Sequence, residues 1–205
     1  MTMRRVLVSG ISGAGKTTVA THVARALNLP RHELDALHHG PGWVKRPSFE
    51  ADVARFAADD AWVTEDQYVS RIGELLWERA DTLVWLDLPR ATVMRQVVAR
   101  SVVRAIRGDE LWNGNRERVG EWLDPGHPMR WAWSHHGAKR AETAERAARH
   151  RHLRVLRLDS RRAVDAWLAG DRALTPLSAT GGCNGSSRGS PTRRCRGRCS
   201  RGRGR

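Results

Sequence analysis

Residues 10–18 read Gly-Ile-Ser-Gly-Ala-Gly-Lys-Thr-Thr, directly behind the apolar run Val6-Leu7-Val8 and ahead of a stretch with helical periodicity. Few segments of this length restrict a fold as strongly. The spacing from Gly10 to Gly15-Lys16-Thr17 matches G-x-x-x-x-G-K-[ST]. Its glycines let successive backbone N–H groups turn inward around an anion with no side chain in the way. The helix that follows presents its positive N-terminal end to the same anion. Gly10, Ser12, Gly13, Ala14 and Gly15 would form the cradle, with Thr18 beside it. Lys16 would bring a compact charge to the β- and γ-phosphate oxygens, and the Thr17 hydroxyl would ligate Mg2+. ATP or GTP with Mg2+ is therefore the expected ligand. The chain has 33 arginines and only three lysines, and one of the three stands at position 16. A point-like ammonium suits that place where a planar guanidinium would not.

The rest of the chain alternates between the two periodicities. Helical patterns cover residues 16–27, 49–60, 90–107, 128–150 and 161–168, and strand patterns lie near 32–34 and over 61–64, 82–86 and 153–158. Residues 38–48, rich in Gly and Pro, read as loop. Strands alternating with helices imply βαβ units and a mostly parallel sheet. One nucleotide-binding domain is expected over residues 1–170. From residue 171 the composition turns to Gly, Ser, Arg and Thr without period, which predicts a disordered tail over 171–205.

The tail also explains the charge. Of the net +14, nine charges come from arginines in residues 172–205, a segment with no acidic residue, which leaves +5 for the rest. Contact with nucleic acid is thus expected only through the tail, as a salt-dependent attraction to phosphates. Cys183, Cys195 and Cys199 all lie there as well, and a cysteine-free core suits a reducing cytoplasm. No apolar run approaches 18 residues, and the run behind Arg4-Arg5 is short and broken by glycine, so neither a membrane partner nor a signal peptide is expected.

An acidic group near the cation is the next requirement of such a cradle. Glu65 and Asp66 follow one predicted strand and Asp87 follows another; either place could serve, and Glu65-Asp66 could equally begin a solvated loop. Asp35 ends the predicted second strand, ahead of His38, His39 and the turn to Trp43. A carboxylate there could take the proton of an acceptor hydroxyl or simply cap a turn. The adjacent histidines should point apart, which argues against a metal site. Arg100, Arg104 and Arg107 make a basic stripe on the helix 90–107, expected opposite its valine face, fitted either to clamp phosphates or to face solvent. Asn113, Asn115 and Arg116 fall in a segment with the character of a lid or substrate loop, and core packing is expected for Trp131 and Trp133.

On the residues GISGAGKTT, ELDALHHGPGW, VWLDLPR and ELWNGNRE, the chain resembles the adenylate-kinase-like P-loop kinases. It looks closest to the small bacterial group labelled DNA topology modulation proteins. The resemblance covers about residues 3–170. It implies an α/β P-loop NTPase sandwich of nucleoside- and nucleotide-kinase type, with a five-stranded parallel sheet in the order 2-3-1-4-5 and a lid insertion. It further implies that Lys16 and Thr17 hold ATP and Mg2+, that Asp35 faces the acceptor, and that Arg100, Arg104, Arg107 and Arg116 flank the phosphates. His38 and Trp43 are candidates to line an acceptor pocket with Asp35. Relatives usually carry Asp-Gly-Asn-Tyr after the third strand. Here the chain reads Glu65-Asp66-Gln67-Tyr68, so that Glu65 becomes the acidic group for the metal and a glycine is lost. The expected activity is Mg-ATP-dependent phosphoryl transfer to a small acceptor such as a nucleotide. The alternative is a nucleotide-binding regulator, or slow ATPase, that contacts nucleic acid through the tail.

Overall fold

A computed structural model describes residues 3–107 and 128–170. Five strands form one all-parallel sheet: β1 (Arg5–Gly10), β2 (Arg31–His32), β3 (Trp62–Glu65), β4 (Thr82–Leu86) and β5 (Arg154–Leu158). Their spatial order is β2-β3-β1-β4-β5, as expected from the resemblance. The helices are α1 (Lys16–Leu27), α2 (Leu34–His38), α3 (Phe49–Ala57), α4 (Val69–Ile72), α5 (Leu75–Arg79), α6 (Arg90–Arg107), α7 (Pro128–Arg149) and α8 (Arg161–Ala169).

The two-residue period of the central strands sorts side chains into two cores. Val6, Val8, Val84 and Leu86 pack with Val19 and Val23 of α1, Val93 and Val97 of α6, and Val164 of α8. Leu7, Leu83 and Trp85 face the other way, onto Phe49 and Val53 of α3 and Leu76 and Trp77 of α5. Both faces are therefore covered, which is why β1 and β4 read as unbroken apolar runs and not as alternating ones. Trp62 and Trp77 are fully buried on the second face, and each large apolar side chain so placed is worth about 1.5–3 kcal/mol.

The second strand is shorter than the sequence suggests. Pro30 precedes it and α2 begins at Leu34, so only Arg31 and His32 pair with β3. Asp35 consequently lies in the first turn of α2 and not at a strand end. Helices α4 and α5 carry no clear apolar period of their own and were not expected. Among the described residues no helix is long and apolar enough to cross a membrane. The expected tail over 171–205 lies outside the described residues.

Candidate nucleotide and acceptor site

The cradle joins the end of β1 to the start of α1. Gly10 of β1 pairs with Leu86 of β4, so the loop leaves from the carboxyl end of the sheet, where ligands of open α/β sheets bind. Gly13 and Gly15 have φ of +85° and +95°, a region that other residues avoid. At Gly13 a Cβ would stand 1.9 Å from a methyl of Val97, so α6 packs directly against the loop. At Gly15, which caps α1, an added Cβ would meet nothing within 4 Å beyond its own chain neighbours. The variant Gly13→Ala should lose nucleotide affinity at least tenfold, as read by equilibrium titration with a nucleotide analogue. Unchanged affinity would mean that α6 yields to the added methyl.

Val93 and Val97 are fully buried, whereas Val98 is 44% exposed. Arg100 is one turn past Val97 on the same row, beside those valines and not opposite them as expected. The side chains of Arg104 and Arg107, the rest of the expected stripe, lie outside the described residues. Side chains from 101 to 132 are outside the described residues, as are Asn113, Asn115 and Arg116 entirely.

Lys16 is buried at the first turn of α1 and makes no hydrogen bond or ion pair with the described residues. Burial pushes its ammonium below the ordinary lysine range, and Glu65, Asp66 and Asp35 oppose that push. A partly desolvated cation at the mouth of a glycine cradle, with free space at Gly15, fits a phosphate chain. Thr17 and Thr18 are exposed on the same turn. Glu65 is 7% exposed, and among the described residues its one ion pair is with Arg31, at 3.5 Å. Thr17 and Glu65, expected to hold a divalent cation, each carry an oxygen here; among the described residues no group of three or more His, Cys, Asp or Glu side chains is placed to hold a metal ion.

Asp66 has a different part. It does not begin a solvated loop; it is buried beneath the cradle, where its carboxylate accepts from the Ser9 hydroxyl at 2.7 Å and the Trp77 indole N–H at 2.9 Å. Lys139 and Arg146, both on α7, approach it at 3.1 and 3.5 Å. Burial alone would raise its pKa, yet Lys139, Ser9, Trp77 and Arg146 outweigh burial and hold it below the ordinary carboxylate range. Asp87, the other acidic candidate, is taken up by Arg140 at 2.8 Å and Arg157.

Asp35 is half-buried and caps nothing. Its carboxylate accepts from the Tyr68 hydroxyl at 2.6 Å and from the Gln67 amide at 3.2 Å. Tyr68 reaches it from a left-handed backbone position, φ +56°. Desolvation, then the neighbouring Asp35 charge, raises the phenol pKa far above its ordinary value, so the hydroxyl keeps its proton and donates. The two residues that close the Glu65-Asp66-Gln67-Tyr68 segment are therefore the clamp on Asp35.

The histidine pair also departs from expectation. α2 ends at His38 while His39 is extended, so the chain turns between them and their rings meet edge to face at 4.4 Å. His38 stacks on Tyr68 at 4.2 Å, and His39 Nε2 lies 3.2 Å from the Tyr68 hydroxyl. Trp43 packs on His39 at 5.2 Å. Two further tryptophans were expected in the core. The Trp133 ring is instead 58% exposed, with Arg90 over it at 5.3 Å, and the Trp131 side chain is outside the described residues. Sequence reasoning passed over Ser9, Gln67, Tyr68, Lys139 and Arg146. Only Lys139 carried a signal, as one of three lysines in an arginine-rich chain.

No family model matches the sequence, and no curated protein does. Solved structures do. A shikimate kinase from Acinetobacter baumannii, in complex with shikimate, superposes with a TM-score of 0.50 at 14% identity, over 80% of this chain and 89% of that one. A gluconokinase from Sinorhizobium meliloti 1021 gives 0.46 at 19% identity, over 83% and 93%. A sugar kinase from Janibacter sp. HTCC2649 gives 0.42 at 20%, over 84% and 92%. At such identities the likeness is one of fold: an α/β fold with an all-parallel sheet in the order 2-3-1-4-5, shared with P-loop kinases of small molecules.

Proposed function

We propose that the protein is a phosphotransferase that moves the γ-phosphoryl group of a nucleoside triphosphate, ATP or GTP, to a hydroxyl of a small acceptor. The observation that carries this reading is the pairing of two groups across one site: buried Lys16, with no hydrogen-bond or ion-pair partner among the described residues, and Asp35, clamped by Tyr68 and Gln67 within electrostatic reach of it. A nucleotide binder that only sensed its ligand would need the first and not the second. The small-molecule kinases that share the fold agree with it.

In this reading Gly10, Ser12, Gly13, Ala14, Gly15 and Thr18 hold the phosphate chain and Lys16 neutralises it. When bound, Mg2+ would supply further charge neutralisation, held through Thr17 and Glu65. Asp35 receives the acceptor proton, and His38, Trp43, Asn113 and Asn115 contact the acceptor. Arg100 and Arg104 steady the transferring group, and Arg107 and Arg116 flank the phosphates. Residues 1–170 form the catalytic domain, with 171–205 as an appendage. The placement near the DNA topology modulation group, and the adenylate-kinase-like character, rest on the sequence motifs alone.

The test is a coupled assay of ADP release over a panel of alcohols, sugars, nucleosides and nucleotides. Acceptor-stimulated release is expected, and Lys16→Ala should remove it. Intact ATP binding with no stimulation by any acceptor would instead leave a nucleotide-binding protein or a slow ATPase.

A further inference from the structure

Trp43 is the one tryptophan among the described residues with a left-handed backbone. It has φ +61° and directly follows Gly42 at φ +67° within the short 3-10 turn Pro41–Trp43. For a bulky side chain that conformation costs roughly 1–2 kcal/mol. The strain does not serve to bury the ring, which remains 43% exposed while Trp62 and Trp77 are enclosed. What it achieves is placement. The indole meets His39 at 5.2 Å, His39 meets the Tyr68 hydroxyl at 3.2 Å, and that hydroxyl meets Asp35 at 2.6 Å. A row of rings therefore leads from the open indole to the carboxylate, walled by His38 and by Phe49, which lies 4.9 Å from His38.

The walls carry little charge of their own. Burial, with His39, Arg71 and Lys45 nearby, pushes the His38 pKa below its ordinary value and favours the neutral ring. Arg71 is committed to Glu50 and Arg46 to Asp52. Lys45 makes no ion pair with the described residues, but it is exposed to water, where a single charge contributes little. A flat, partly apolar platform beside a hydrogen-bond acceptor suits a ring that has an apolar face and hydroxyls at its edge.

We propose that the acceptor is an uncharged hydroxylated ring, of the sugar or nucleoside kind, that stacks on Trp43 and offers one hydroxyl to Asp35. This rests on the phosphotransferase reading and sharpens it. In the transfer, the acceptor oxygen forms a bond to the γ-phosphorus of the nucleoside triphosphate. The bond from that phosphorus to the β–γ bridging oxygen breaks, the diphosphate leaves with the electron pair, and the hydroxyl proton passes to Asp35.

The test compares the full-length protein with Trp43→Phe, Trp43→Ala and Lys45→Ala, each first checked for an unchanged melting curve. Turnover with Mg-ATP is measured over neutral sugars, nucleosides, the corresponding sugar acids and nucleotides, and open-chain polyols, and calorimetry measures binding of the same compounds. A neutral ring should bind and turn over, with sugar and nucleoside arms separating the two sources. Trp43→Ala should raise its KM about tenfold with kcat within about twofold, Trp43→Phe should lie near the parent, and Lys45→Ala should change neither. Preference for an anionic acceptor that is lost in Lys45→Ala would overturn the proposal. So would a KM indifferent to Trp43, or no ring binding at all. Ring binding that depends on Trp43 without turnover would count against the phosphotransferase reading alone.

Discussion

Arg146→Met should lower stability by about 3–5 kcal/mol, the largest effect expected of any single substitution outside the cradle. Arg146 is 2% exposed, and its guanidinium lies over the Trp77 ring at 4.4 Å. Nε donates to Glu74 at 3.1 Å, while Nη2 lies 3.0 Å from the same oxygen, close enough for attraction though not aligned for a hydrogen bond. Nη1 completes the set with Asp66 at 3.5 Å and Glu142 at 3.4 Å. Met fills much of the volume, so cavity formation is a minor part of the loss. The main part is that Asp66, itself buried, keeps Lys139 as its one ion pair among the described residues, with Lys16 in electrostatic reach. For a domain of this size the melting midpoint should fall by roughly 6–20 °C. The sign of the pH dependence follows from Asp66. Its pKa is depressed in the folded state, so its contribution is fully present above the unfolded carboxylate pKa and fades as pH falls through the folded value. The deficit of Arg146→Met should therefore be largest near neutrality and shrink in strong acid. A constant deficit at every pH would place the damage in packing and not in the charge pair. Because Asp66 also holds Ser9, the residue before Gly10, nucleotide affinity should weaken along with stability.

The parts of this protein that local chemistry determines were readable in its sequence. Val6-Leu7-Val8 and Leu83-Val84-Trp85-Leu86 are buried on both faces, so their apolar runs could belong only to central strands. The cradle was readable because its requirements are backbone requirements, met by glycines at set places. What escaped is what depends on long-range packing. Asp66 reads in sequence either as an acidic group for the cation or as the start of a loop, because nothing near it in the chain hints at Lys139 and Arg146, more than seventy residues on. Gln67 reads as part of a departure from a motif and Tyr68 as that motif's unchanged last residue, although both are donors to Asp35. The histidines were expected to diverge because the end of α2 between them was not foreseen. Arg100 lies on the valine side of α6 and not opposite it because the burial of Val97 and the exposure of Val98 divide valines that the sequence pattern groups together.

Asp35→Asn should lower kcat by about 10²–10⁴ while leaving ATP affinity within about twofold. Asn has nearly the shape of Asp, and its carbonyl oxygen can still accept from the Tyr68 hydroxyl, so the segment 65–68 should keep its place. What the amide cannot do is take the proton of an attacking hydroxyl. A second consequence separates this from a merely electrostatic role. Asp35 is one of three carboxylates that oppose the effect of burial on Lys16, after Glu65 and Asp66, so its neutralisation shifts the Lys16 pKa further down but leaves two supports in place. Two carboxylates therefore still oppose the effect of burial on Lys16, and the nucleotide should still bind. Tyr68→Phe supplies the control. It removes the donor at 2.6 Å and leaves the carboxylate, so it should cost much less than Asp35→Asn, about tenfold in kcat. If Asp35→Asn instead weakens ATP binding in step with kcat, Asp35 acts by sustaining the charge on Lys16. If it changes neither, the acceptor approaches from elsewhere and the clamp on Asp35 is structural.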